Sequence, residues 1–229
     1  MKTTTTIASL GMAVGLALCS SAVVAQDNTV RIGLYAVFYH TAADPVSGPF
    51  TQPGLTADVG NVQTLYLAYL RRLSEHFDLE LTAGIPPRTD TIARGPAKVG
   101  SVPWDGQTVG TVKWFAPTML LEYKFNDDSA AFRPFVGAGL NFTHFYDRKI
   151  NAAGDAALGG PTSVSLKNSV GPAATIGVYY RVWHTWHVVG SFSASQVTST
   201  LETNTAGVVR RTNVSFNPEV IVLSVGYSF

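Results

Sequence analysis

A chain of 229 residues with 46% hydrophobic and only 14% charged residues falls well short of the ~25% charge of an ordinary soluble domain. After its first segment it has no uninterrupted apolar run of about 18 residues, which excludes a later transmembrane helix. If Lys2 is lost with an amino-terminal leader, the 16 basic residues fall to 15 against 15 acidic ones, and so neutral a chain offers no electrostatic surface to a nucleic acid.

Residues 1–25 read as a secretory signal peptide. Lys2 supplies the positive start, Ile7 to Leu18 an apolar stretch too short to span a bilayer, and Val23-Val24-Ala25 the small-residue pattern of a cleavage site. Cys19 offers a rival, lipid-anchored reading around Leu16-Ala17-Leu18-Cys19, but Leu18 is bulky where such signals place a small residue. A cut after Ala25 leaves residues 26–229 without cysteine, so no disulfide or thiolate chemistry is expected.

The rest alternates with a period of two. The first predicted strand runs from about Val30 to Tyr39, with Ile32, Leu34, Ala36 and Phe38 on its apolar face. The second covers Val62 to Leu73, with Leu65, Leu67 and Tyr69 outward. The third covers Phe77 to Ile85, the fourth Val109 to Phe125, the fifth Phe132 to Tyr146, the sixth Ser169 to Arg181 and the seventh Trp186 to Thr203. The eighth, Thr212 to Phe229, sets Ile221, Leu223, Val225, Tyr227 and Phe229 on one face against Val222, Ser224, Gly226 and Ser228. Connections alternate between short turns (Ser74 to His76, Asn126 to Ala131, Val182 to Thr185) and long segments (His40 to Asn61, Pro86 to Thr108, Asp147 to Asn168). Convincing helical periodicity is absent.

Low charge without long apolar runs suits a membrane barrel, which shows lipid an apolar residue only at every second position and pairs short periplasmic turns with longer outer loops. The expected architecture is therefore all-β, an eight-stranded antiparallel transmembrane β-barrel over residues 26–229. A soluble sandwich shares the alternation, but its strands usually run to about 5–6 residues, and several here exceed ten.

With the apolar faces toward lipid, Arg31, Arg72, Asp78, Glu80, Glu122, Lys124, Arg133 and Arg181 point into the barrel near its periplasmic end. Burial of unpaired ions costs several kcal/mol each, so these charges are expected to form a network that plugs the lumen, with Arg133 and Glu122 in it together. Higher up, Tyr35, Val37, Tyr66, Leu70, Trp114, Leu120, Phe145, Val220 and Val222 are expected to line an apolar cup. Such a cup over a plug would admit a hydrophobic molecule and deny it a straight exit. A sideways exit needs missing ladder bonds, and Pro103, Pro117, Pro172 and Pro218 are the candidates, because proline removes a donor from the ladder.

From about Val109 onward the chain resembles the OmpW family of small outer-membrane proteins. The resemblance rests on Ala116-Pro117-Thr118-Met119, on Phe132-Arg133-Pro134-Phe135-Val136-Gly137-Ala138-Gly139-Leu140-Asn141-Phe142, on Ser165 to Ser169 and on the Gly-Tyr-Ser-Phe end. In the amino-terminal half it is looser. It implies a location in the outer membrane of a Gram-negative bacterium, a narrow apolar lumen, and passage of small hydrophobic molecules with lateral release. The implied partners are outer-membrane lipid, those small molecules and the barrel-assembly machinery, with no nucleic acid.

An enzyme is disfavoured. No Gly-x-Ser-x-Gly nucleophile elbow occurs, and no His-x-Ser pair sets a base and a nucleophile on one strand face. His184 and His187 differ by three and should face opposite sides of a strand, and His40 and His76 belong to opposite ends of the barrel. No metal constellation emerges and no cofactor is expected. Gly137-Ala138-Gly139 is followed by Phe142 where a third glycine would stand, so it is not a nucleotide fingerprint. A closed structural or adhesive barrel shares every fold feature, and the polarity of the upper lumen separates it from a passage.

Overall fold

Successive side chains on a strand point to opposite faces, so each alternating run can satisfy lipid on one side and the lumen on the other. The computed structural model describes residues 27–51 and 53–229. The expected leader, with Lys2, Cys19 and the cut after Ala25, lies outside the described residues. In chain order the elements are β1 (Asn28–Tyr39), β2 (Ala42–Ala43), β3 (Thr56–Val59), β4 (Val62–Arg72), β5 (Phe77–Gly84), β6 (Arg88–Arg94), β7 (Lys98–Val99), β8 (Val102–Pro103), β9 (Thr108–Phe115), β10 (Thr118–Lys124), β11 (Phe132–Ile150), α1 (Ala152–Leu158), β12 (Thr162–Leu166), β13 (Ser169–Arg181), β14 (Trp186–Ser195), β15 (Thr198–Thr205), β16 (Val208–Ser215) and β17 (Pro218–Ser228).

Eight of these strands close into an antiparallel barrel in the order β10, β5, β4, β1, β17, β14, β13, β11, and β11 pairs back onto β10. The closing pair of first and last strands runs in unbroken register from Thr29 opposite Ser228 to Tyr39 opposite Pro218. Asn28 and Phe229 exchange backbone hydrogen bonds of 3.1 and 2.9 Å. Closure removes the sheet edge, which no membrane protein can leave open to lipid.

The barrel ends in short turns on one side. In one of them Asp127 accepts hydrogen bonds from the Ser129 side chain and from the backbone of Ser129 and Ala130, which holds its carboxyl below the usual carboxylate range. On the other side the wall continues past the barrel strands. β3, β6, β9 and upper β11 prolong one flank, while β12, β15, β16 and β2 form a four-stranded sheet.

Several predicted boundaries are corrected here. The fourth strand divides into β9 and β10 at Ala116-Pro117, where proline has no donor for the ladder. The seventh divides at Gln196-Val197 and the eighth at Phe216-Asn217, where Asn217 takes a φ of 38°. The fifth runs on to Ile150. The long segments read as loops hold short strands and α1. That helix is capped by Asn151, whose side chain accepts from Gly154 N, and ends at Gly159 with a φ of 91°. Seven residues are too few to show helical periodicity in sequence.

The outer face carries an unbroken apolar belt. Ile32 and Leu34 on β1, Leu65 and Leu67 on β4, Leu79 and Leu81 on β5, and Ile221 and Leu223 on β17 are all exposed there. Toward the short turns the belt becomes aromatic, with Phe77, Phe125, Phe132, Tyr180, Trp183, Trp186, Tyr227 and Phe229 exposed, the interfacial girdle expected where lipid meets the headgroup layer. Inward-facing glycines leave the narrow lumen room for large side chains. A Cβ on Gly177 would stand 2.5 Å from Phe135 Cζ, so only glycine admits that ring.

Candidate lumenal site

Three layers fill the barrel, and each of the inward residues read from sequence falls in one of them. The lowest is a polar cavity with an empty volume of about 1100 Å³, lined by Arg72, Asp78, Lys124, Asp128, Arg133, Arg181, His184 and His187 among others. Lys124 Nζ lies 2.7 Å from Asp78 Oδ2. Arg133 Nη1 lies 2.5 Å from Asp128 Oδ1, and Arg72 pairs with the other oxygen of the same carboxylate. Arg181 donates to the carbonyls of Asp128 and Ser129 at 2.7 and 2.6 Å.

Above it lies a dry layer. Arg31 Nη2 reaches Glu80 at 3.0 Å and Glu122 at 3.3 Å. The Tyr179 hydroxyl accepts from Arg31 and donates to Glu122 at 3.2 Å, Tyr66 donates to Glu80, and the guanidinium stacks 4.7 Å from the Tyr179 ring centre. Leu70, Phe135 and Val189, each at most 1% exposed, complete the layer. It closes the straight route along the axis.

The charges thus form separate groups and not the single expected network. Glu122 stands opposite Gly137, and Lys124 opposite Phe135. Arg133 is four residues along β11 from Gly137, about 13 Å at the ~3.3 Å rise of a strand, so it cannot reach Glu122. It pairs with Asp128, an acid in the turn that strand alternation could not assign, although its place between two inward-facing strand ends is visible in sequence. The histidine expectation is also corrected. His184 sits in a turn, where strand parity does not apply, and lines the same cavity as His187.

The third layer is a cup with an empty volume of about 1060 Å³. Tyr35, Val37, Tyr66, Trp114, Leu120, Phe145, Val220 and Val222 all line it. Leu70 does not, being packed beneath with Phe135, Tyr179 and Val189. Sequence reading missed the rim residues Tyr39, Val59, Val197 and Phe216. Val197 and Phe216 lie at the breaks between β14 and β15 and between β16 and β17, where alternation is lost. Polar groups on one side are paired locally, Asn141 donating to Thr118 at 2.8 Å and Ser193 to Thr175 at 2.9 Å. Trp114 Nε1 is buried and has no partner among the described residues.

Beside this cup the wall loses its ladder. β4 and β5 stay paired to Tyr66 opposite Gly84, with one further bond from Ile85 N to Leu65 O at 3.2 Å. Pairing resumes with a bond from Gly60 N to Asp90 O at 3.1 Å and continues between β3 and β6 from Val59 opposite Thr91. On the other flank β5 and β10 pair as far as Thr82 opposite Thr118, and pairing resumes with a bond from Trp114 N to Pro87 O at 3.4 Å, just before β6 and β9 begin at Arg88 opposite Lys113. Pro86 stands in both gaps, Pro87 stands in the first and bounds the second, and Pro117 lies on the facing segment of the second. Of the prolines proposed from sequence, only Pro117 borders an opening. Pro103 lies in the small β7–β8 hairpin, Pro172 holds a rung with Leu140, and Pro218 holds one with Tyr39. Ala83, Gly84, Thr89 and Ala116, beside the gaps, line the cup.

Among the described residues no group of three or more His, Cys, Asp or Glu side chains is placed to hold a metal. The model of the OmpW family matches residues 25–229. Outer membrane protein W of Vibrio cholerae is 30% identical over 222 residues, 96% of this chain and 97% of that protein. The dibenzothiophene metabolism operon protein PahQ of Pseudomonas aeruginosa is 27% identical over 161 residues, 70% of this chain and 68% of that one. In fold the chain is similar to the crystal structure of OprG from Pseudomonas aeruginosa, with a TM-score of 0.80 and 22% identity, over 89% of this chain and 95% of that one. The chain belongs to the OmpW family and is an eight-stranded barrel of the bacterial outer membrane.

Proposed function

We propose that the barrel takes small apolar molecules into the cup and releases them sideways into the membrane through the unpaired wall. The observation that carries this reading is a coincidence of place. The apolar cup, the dry layer that blocks the axis beneath it, and the ladder gap at Pro86-Pro87 meet at residues that line one cavity. A molecule entering the cup exchanges water for apolar contact at roughly 25 cal/mol per Å². Weak binding suits a passage, because tightly held cargo would not leave. The relative whose name ties it to dibenzothiophene metabolism supports an aromatic or otherwise water-poor cargo.

Outer-membrane lipid, small hydrophobic molecules and the barrel-assembly machinery are the partners this reading requires. Export is directed by the leader over residues 1–25, and no cofactor or nucleic acid enters it. Catalysis has little support. Ser228 Oγ lies 3.5 Å from His187 Nδ1, but its shorter bond is to Thr29 at 2.8 Å, and among the described residues no carboxylate orients the imidazole.

The test is uptake of a labelled alkane or aromatic into cells or liposomes by two variants at one lumenal position. Val222→Trp fills the cup, and Val222→Asp places a charge where cargo must shed its water. Both are expected to assemble and to carry the compound more slowly than the parent. Parental uptake by both assembled variants would favour a closed structural barrel.

A further inference from the structure

A second cavity lies above the cup among the outer strands, with an empty volume of about 700 Å³. Trp104, Val109, Val112, Ile150, Leu158 and Leu201 supply apolar wall. Its charges are of one sign, since Arg148, Lys149, Arg210 and Arg211 line it and no Asp or Glu does. Two of these cations already have acids, Lys149 with Asp147 at 3.5 Å and Arg211 with Glu202 at 2.6 Å.

Arg148 and Arg210 have neutral partners only among the described residues, and residues 1–26 and Gln52 contain no acid. Arg148 Nη1 donates to the carbonyls of Phe145 and Leu166 at 3.3 and 3.2 Å. Arg210, only 7% exposed, donates to the carbonyls of Pro49 and Leu158 and to the Thr205 hydroxyl at 3.2 to 3.4 Å. A guanidinium taken out of water without an anion is unfavourable, and its planar fork matches a carboxylate. Two more polar atoms in this wall have no partner among the described residues, Trp104 Nε1 and Thr203 Oγ1, both in residues more than nine-tenths buried. The indole can only donate. The Nη2 groups of Arg148 and Arg210, the Trp104 indole and the Thr203 hydroxyl can thus all donate to an anion, in a wall that also presents Val109, Val112, Ile150 and Leu201.

We propose that this cavity binds a small apolar acid, its tail against Val109, Val112 and Leu201 and its carboxylate taken by Arg210 and Arg148, with Trp104 and Thr203 as neutral donors. Val112 belongs to the walls of both cavities, so the acid site stands directly over the cup. The inference goes beyond the passage proposed above, because acid binding here does not require transport.

The test uses the exported barrel in nanodiscs of zwitterionic lipid, with octanoate and the uncharged octan-1-ol as probes. The readout is the indole N–H resonance of Trp104, assigned by its loss in Trp104→Phe. Octanoate is expected to shift that resonance saturably and to bind at least about tenfold more tightly than octanol, the lower end for a hydrogen bond to a charged group. Arg210→Gln and Arg148→Gln should each abolish the preference and leave octanol binding unchanged. If Arg210→Gln does not assemble, Arg148→Gln alone decides. Val222→Trp, which blocks the cup, should leave the octanoate shift intact, so failure of the passage and failure of this site are told apart. Equal binding of acid and alcohol, or a preference that survives both arginine substitutions, overturns the proposal. An equal shift with inorganic phosphate or acetate overturns its apolar half.

Discussion

Glu122 Oε2 stands 3.3 Å from Arg31 Nη2, and neither side chain is more than 1% exposed. The same guanidinium holds Glu80 at 3.0 Å, so one cation answers two carboxylates in a layer without bulk water. Loss of the cation would leave both acids buried and facing each other. Arg31→Met is therefore expected to cost about 3–5 kcal/mol, the range for breaking a buried ion pair on one side. Combining it with Glu80→Gln and Glu122→Gln removes the charges altogether and should restore most of the loss. Urea unfolding of the barrel in detergent measures this, and an Arg31→Met variant with the parent's midpoint would show that the layer does not depend on the arginine.

A second prediction concerns the last rung. Phe229 exchanges backbone hydrogen bonds with Asn28, and its ring, on the lipid side, stacks with Tyr227 at 6.3 Å between centres. Deleting Phe229 or changing it to Asp is expected to lower the amount of heat-modifiable barrel in cells. A charge near the membrane interface costs only about 0–1 kcal/mol, too little to prevent refolding of the purified chain into detergent. Loss in cells with normal refolding in vitro would locate the defect in recognition by the assembly machinery. Normal levels in cells would remove the case for that role.

The parts legible in sequence are those that lipid enforces. A barrel wall must show an apolar residue outward at every second position, so Arg31, Glu80, Tyr66 and Val222 could be assigned inward from parity alone. Parity gives no height. Arg133 and Glu122 were both inward, yet they stand about 13 Å apart along the strand direction, and only the register of β10 on β11 reveals it. Turns have no parity either, which hid Asp128 and misplaced His184. Pro86 and Pro87 read as the start of a loop, because proline is common to loops and interrupted strands. The continuation of the wall into β6 depends on long-range pairing with β3 and β9, which no local pattern encodes.

That pairing leads to the last prediction. Pro86 and Pro87 cannot donate to either neighbouring strand, and the one ladder bond they take part in among the described residues is the one Pro87 O accepts from Trp114 N at 3.4 Å. Replacing both with threonine, a residue that favours strands, returns two backbone donors to this stretch of wall. Each ladder bond formed would stabilise the closed wall by about 0.5–1.5 kcal/mol, which lowers the population of an open wall roughly 2- to 10-fold per bond. The Pro86→Thr, Pro87→Thr variant is therefore expected to assemble normally, to bind a small apolar probe in the cup as the parent does, and to deliver it to the membrane several times more slowly. Pro172→Thr is the control, because Pro172 already sits in a rung with Leu140 and its replacement opens or closes nothing. Binding is read by fluorescence of an apolar dye on the assembled barrel, and delivery by uptake of labelled alkane into liposomes. If the double variant delivers cargo at the parental rate while both forms bind it equally, the exit lies elsewhere than at Pro86-Pro87.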